Sequence, residues 1–276
     1  MSKPLADHAV LVALNIRQWT ARKYDRSVSK EVDRNHGAKD GGRYNKLLIS
    51  KAALESIEKI ASASRAHHYD KTLAWGDNGD RLLPSALFME YTQDMQNFRI
   101  EFESRVRTFI QDYPQLKVAA RNQLGSMYDP DDYPADIADR FQFSTSFSPV
   151  PDANDFRVNL STESIDFIKR DLTDRIMDRQ KEAVKEVFNR ARAIVGKIHE
   201  QTSNADRRIY DSAIENARSF VDILPALNLT NDPVLASIED DIRTLLIPPD
   251  RLRADKTLRA NTARAADSIL ARLPWA

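Results

Sequence analysis

The sequence predicts a mainly α-helical protein with a small β element, and three observations carry that expectation. Apolar residues recur at spacings of three and four over two long stretches, Phe88 to Phe109 and Ile165 to Ile198. Only two short stretches, near 10–16 and 141–160, switch to the alternation of strands. The 276 residues include 7 glycines, too few for a fold built on many tight turns or glycine loops. The expected architecture is a long antiparallel helical hairpin or coiled coil, an N-terminal strand plus a β-hairpin, and a C-terminal helical bundle.

From the N-terminus, Val10, Val12, Leu14 and Ile16 alternate with Leu11, Ala13, Asn15 and Arg17, the period-two pattern of a strand. Tyr24, Val28 and Val32 then recur at helical spacing, which predicts a short helix ending near Asn35-His36-Gly37. Ser50 is placed to cap a helix whose apolar face is Leu54, Ile57, Ile60 and Ala61. Residues 75–80, rich in Gly, Asp and Asn, read as a loop.

Pro84 opens the strongest helical pattern of the first half. Phe88, Tyr91, Met95, Phe98, Phe102 and Phe109 form a seam whose one gap, at 105, is arginine. Such a stripe is expected to be core or an oligomer seam. Pro114 should end that helix and start another running to Leu124 before Gly125. Phe141, Phe143 and Phe147, then Phe156, Val158 and Leu160, predict a β-hairpin. A lone hairpin is marginal in water, so the 10–16 strand is its expected partner. Ser161 or Thr162 should cap a helix from 163 to about 201, whose stripe runs Ile165, Ile168, Leu172, Ile176, Ala183, Val187, Ala191, Ile194 and Ile198. At 1.5 Å per residue that helix measures roughly 58 Å, so it needs another long helix, and 85–111 is the expected mate. Pro225, Pro233 and Pro248-Pro249 punctuate three shorter helices near 205–223, 232–246 and 255–272. The implied division is 1–82, 83–201 with the hairpin inside it, and 202–276.

Forty-one basic and 41 acidic residues cancel, so any electrostatic argument must be local. The absence of cysteine excludes disulfides, thiolate zinc sites and thiol nucleophiles in this chain. The apolar stretch 9–16 is too short to span a bilayer and lacks the other parts of a secretion signal. A soluble, cytoplasmic protein without membrane contact is expected.

Several motifs carry less chemistry than they suggest. Residues 37–44 have the glycine spacing of a phosphate loop, but Arg43 and Tyr44 stand where lysine and a small hydroxyl residue belong, and no buried strand precedes them. A helix C-cap and turn is expected there. His67 and His68 are adjacent rather than four apart and make a poor metal pair, better read as surface or partly buried residues. Asp77, Asn78 and Asp80, and Asp129, Asp131 and Asp132, lack the ligand pattern of a calcium loop and read as loop solubility. No Gly-x-Ser-x-Gly elbow occurs. The expectation is no catalytic residues, no metal and no cofactor.

Local charge is the feature that points to a function. Residues 17–51 hold ten basic side chains against four acidic ones. Lys23, Arg26, Lys30 and Arg34 should share one helical face opposite Val28 and Val32, with Trp19, Tyr24 and Tyr44 interleaved. Cations near aromatic rings are what a single-stranded nucleic-acid groove uses. The candidate set is Arg17, Trp19, Arg22, Lys23, Arg26, Lys30, Arg34, Arg43 and Lys46. The alternative for this segment is an ordinary amphipathic helix packed on its valines.

Residues 14–23 (LNIRQWTARK), 43–48 (RYNKLL), 75–84 (WGDNGDRLLP), 147–151 (FSPVP) and 155–158 (DFRV) resemble segments of an uncharacterised family found in tailed bacteriophages, prophages and integrative conjugative elements. Genes of that family lie near phage-type recombination modules and near ATPases of the MoxR class with a von Willebrand-type partner. The resemblance implies a bacterial mobile-element setting and supplies no catalytic residues. Together with the basic segment it predicts a non-catalytic protein of DNA recombination or maintenance that binds single-stranded DNA. The alternative is an oligomeric scaffold or adaptor whose long helices engage a second copy, a recombination protein or a MoxR-class ATPase.

Overall fold

The structure, a computed structural model, describes residues 5–76, 78–152, 161–204 and 206–274. Among these the chain is mainly α-helical with a small antiparallel β element. The order is β1 (Ala9–Arg17), β2 (Arg22–Tyr24), α1 (Arg26–Asn35), β3 (Asn45–Leu47), α2 (Ala52–Lys71), β4 (Leu73–Ala74), β5 (Arg81–Pro84), α3 (Phe88–Leu124), β6 (Gln142–Pro149), α4 (Thr162–Thr202), α5 (Asp211–Leu227), α6 (Pro233–Leu245), α7 (Pro249–Ala254) and α8 (Lys256–Arg272). The chain divides into two compact units of interleaved segments: Met1–Ala13, His67–Tyr91 and Ser146–Ala276 form the first, Leu14–Ala66 and Thr92–Thr145 the second.

The four-stranded sheet runs β4-β5-β1-β6. β1 pairs antiparallel with β5, Ala9 opposite Pro84 and Leu11 opposite Leu82. Leu11 and Val12 point to opposite faces and are both buried, as expected of a central strand covered on each side. β6 is the other neighbour of β1. The expected second hairpin strand, Phe156, Val158 and Leu160, lies outside the described residues.

In the first unit α4 packs along α8 and α5, with α6 completing the bundle. Ala183 and Ala191 on α4, and Ala263 and Ala266 on α8, are all buried, and such small side chains let two helices lie close. Asp232 accepts the Val234 N–H at 2.8 Å with Pro233 at the first helical position, and Asp255 starts α8 by accepting from Thr257 and Leu258. The buried Arg259 guanidinium donates to the Gln201 carbonyl at 2.7 Å, closing the end of α4. Farther back along α4 Glu186 accepts from Arg81 at 2.8 Å and pairs with Arg190, which itself donates to the carbonyls of Tyr69 (2.7 Å) and Asp70 (3.0 Å) at the end of α2.

Two sequence expectations change here. The coiled-coil reading assigned each long helix the other as mate, whereas the buried part of α4's stripe, Ala183 to Ile198, is covered by α8 and α5 and α3's stripe by aromatic residues of β6 and its approach. Phe102 meets Phe143 at 5.6 Å between ring centroids, Phe109 meets Phe141 at 5.5 Å, and Phe88 meets Phe147 at 5.2 Å. Tyr91, Met95, Phe102 and Phe109 are buried and Phe88 and Phe98 half-buried, so the seam is core of this chain. Pro114 does not end a helix: α3 runs through it to Leu124. Proline forfeits one helical hydrogen bond and crowds the preceding turn, and the buried Phe109, Tyr113, Ala120 and Leu124 on either side hold the helix together across it.

Candidate nucleic-acid interface

The basic segment belongs to the second unit, where its local structure is set by Asp25. Tyr24 ends β2, and the Asp25 carboxylate accepts the N–H groups of Ser27 (3.0 Å) and Val28 (3.1 Å) to start α1. Those bonds, the one from Val28 foremost, hold its carboxyl below the usual carboxylate range. Ser29 is buried and links the helix to the returning chain: its hydroxyl donates to the Asp25 carbonyl at 2.7 Å and accepts the Tyr44 N–H at 3.0 Å. α1 ends at His36, followed by Gly37 at φ +61°, the expected C-cap. The amides of the glycine-spaced loop are not open to a phosphate, because Asp33 accepts those of Asp40 and Gly41, each at 3.1 Å.

The candidate cations fall into two groups. Lys23 lies in β2 rather than on α1, and the β2–β3 register sets it directly opposite Lys46. Like charges so placed repel, and Asp132, whose side chain is 2% exposed, sits against both. The Lys46 ammonium is buried 2.6 Å from Asp132 and 3.8 Å from Asp25, and donates to the Met127 carbonyl at 2.8 Å. Burial pushes the Asp132 pKa up, but the two ammonium groups more than offset this and leave it below the usual range. Lys46 is therefore structural, Lys23 is already paired, and Asp132 is not a solubilising loop residue. Arg17 donates to the Asp139 carbonyl.

Arg22, Arg26, Lys30, Arg34 and Arg43 are exposed. Arg26, Lys30 and Arg34, spaced by four, share one face of α1. Among the described residues the ion pairs of this segment are confined to Lys23 and Lys46. Tyr24 and Tyr44 are 45% and 39% exposed, and the Arg43 guanidinium lies 5.8 Å from the Tyr24 ring centre. Val28 is half-buried and Val32 48% exposed, so the valine face expected to pack is only partly covered.

Beside this face a cleft of about 600 Å³ opens between the 16–22 turn and α2. Trp19 lines it, half-buried, with Phe109 and Tyr113 behind the indole at centroid distances of 6.3 and 5.8 Å. Arg22, Lys51 and Arg65 supply positive charge and Glu58 the one carboxylate of the lining. Ala21, at the corner, is buried with φ +50°, a left-handed conformation that costs a non-glycine residue roughly 1–2 kcal/mol. Its carbonyl accepts the Leu48 N–H at 2.8 Å, extending the β2–β3 ladder across the bend. Sequence reasoning missed Arg65 and Asp132. The spacing Leu54-Glu58-Ser62-Arg65 marks one face of α2 and was the available signal for Arg65.

In the first unit His68 is in the core, where its Nδ1 lies 2.7 Å from the Tyr91 hydroxyl. Burial first, then the nearby Arg81 charge, lowers its pKa to about 4. Asp77 is outside the described residues; Asn78 donates to Asp80 at 2.8 Å. Among the described residues no cluster of three or more His, Asp or Glu is placed to hold a metal ion, and no helix is long and apolar enough to cross a membrane. No family model, curated protein or solved structure matches the chain.

Proposed function

We propose that this chain binds single-stranded nucleic acid without acting on it chemically, through the face formed by β2, α1 and the 43–46 return. The observation that carries the reading is the set of five exposed cations, Arg22, Arg26, Lys30, Arg34 and Arg43, with no carboxylate partner among the described residues and two exposed tyrosines between them. Guanidinium and ammonium groups neutralise phosphates, and tyrosine rings offer a sequence-tolerant surface for bases. The mobile-element resemblance supplies the setting: maintenance or recombination of DNA that passes through a single-stranded stage.

The test is fluorescence anisotropy with a labelled oligothymidylate over a salt series. Each phosphate contact contributes roughly 0.7 to the slope of log affinity against log salt on single strands. Replacing Arg26, Lys30 and Arg34 by glutamate should lower the slope by about two units and leave helicity unchanged. Lys23 is excluded from the set, because it pairs with Asp132. A protein that fails to bind at low salt, or binds with a slope near zero, refutes the reading.

A second reading, self-association as a scaffold, is favoured by a different part of the molecule. No residue from 162 to 182 is buried, although Ile165, Ile168, Leu172 and Ile176 continue the stripe that Ala183 to Ile198 bury farther along α4. The proposed mate is a second copy of the same half-helix. Light scattering should then show a concentration-dependent oligomer that Leu172→Asp dissociates into folded monomers of unchanged helicity, with the concentration dependence of the melting temperature lost; a monomer at every concentration removes this reading.

A further inference from the structure

The cleft beside Trp19 has features the exposed face lacks. It is an open cleft of about 600 Å³, a volume within the range of small-ligand sites. Its aromatic wall is the Trp19 indole, which packs against Phe109 and Tyr113, neither of which lines the cleft. Its charge comes from three cations on separate stretches, Arg22 on β2, Lys51 before α2 and Arg65 within α2. Arg65 uses one N–H in donating to the Ile16 carbonyl at 3.2 Å, and a guanidinium carries five. Glu58 leaves the lining with a net positive charge, and Gln18 and Ser62 add groups that both donate and accept.

From this arrangement we infer that the cleft seats one nucleoside monophosphate unit, its base against the Trp19 indole and its phosphate between Arg22, Lys51 and Arg65. The inference rests on the nucleic-acid reading for its biological meaning, since the unit would be one nucleotide of the bound strand turned out of the run held on the α1 face. The site would then separate single strands from duplex, because a paired base is not free to enter.

The experiment reads Trp19 fluorescence, identified by subtracting the Trp19→Phe variant because Trp75 and Trp275 also emit. Thymidine 5′-monophosphate and a labelled dodecathymidylate are titrated separately, with anisotropy recorded for the latter. Both should quench Trp19, and Trp19→Ala should weaken oligonucleotide binding about tenfold, the scale of one base–aromatic stack. Lys51→Gln, on an exposed side chain outside the core, should weaken both ligands and serves if Trp19→Ala unfolds the chain. Oligonucleotide binding that leaves Trp19 emission unchanged and ignores Lys51→Gln overturns the cleft and spares the α1 face. Quenching by the mononucleotide without oligonucleotide binding does the reverse. No response to either ligand overturns both.

Discussion

Lys23 and Lys46 show how a charge count and a charge environment differ. Both belong to a basic run in the sequence, yet they face each other across two strands and are reconciled by Asp132 from a distant loop. Counting residues 17–51 could not reveal this, because Asp132 is remote in the chain and looked like one of three loop aspartates. What was legible was the residue class, exposed cations with aromatics between them: seven of the eight candidate cations are exposed, and five of those are engaged by no carboxylate or carbonyl among the described residues. Asp132→Asn should cost about 3 kcal/mol in urea unfolding, since removing one partner of a buried ion pair strands the other. Asp25 at 3.8 Å from Lys46 sets a limit on the loss. A cost under about 1 kcal/mol, the scale of a surface pair, would mean that water reaches Lys46 and that it belongs with the binding cations after all.

At the scale of elements, periodicity located the rods but not their mates. The stripe of α3 and that of α4 were both visible in spacing, because a helix that buries one side repeats its apolar residues every three or four positions. Which surface covers a stripe is a tertiary matter. Phe102 fits Phe143 of a strand as well as it would fit another helix, and nothing in Phe102's own neighbours says which. Pro114 misled for a related reason: its local penalty is real, about 3 kcal/mol, but the buried side chains around it keep both halves in one helix. The short strands were the least visible. β2 and β3 have three residues each, too few for alternation to register, and their pairing depends on the Ala21 bend and on Asp132. The cleft was hidden with them, since its walls come from that bend and from the polar side of α2.

On the scale of the whole molecule, each of the two units carries a buried group that titrates on the acid side and whose proton affinity depends on folding, His68 in the first and Asp132 in the second, and the two respond in different pH ranges. In the first unit His68 is held neutral, with a folded pKa of about 4 against 6.5 for a free imidazole. Between those values the unfolded chain binds the proton more readily, so stability is complete above pH 6.5 and falls as pH drops towards 4. The full loss is about 3 kcal/mol, or roughly two powers of ten in an opening equilibrium. In the second unit the Asp132 carboxyl lies below its ordinary value of 3.8, so its contribution is intact above that pH and is lost only as the folded group protonates. Amide hydrogen exchange, corrected for the intrinsic effect of pH, should therefore show two thresholds in one chain. Protection in α4 and α8 should decline between pH 6.5 and 4, while that of the 95–113 stretch of α3 holds until the solution is more acid than pH 3.8. His68→Leu should flatten the first decline and leave the second where it was. Loss of protection at a single pH throughout the chain would show that the two units do not have separate acid responses, and that neither His68 nor Asp132 sets its own unit's limit.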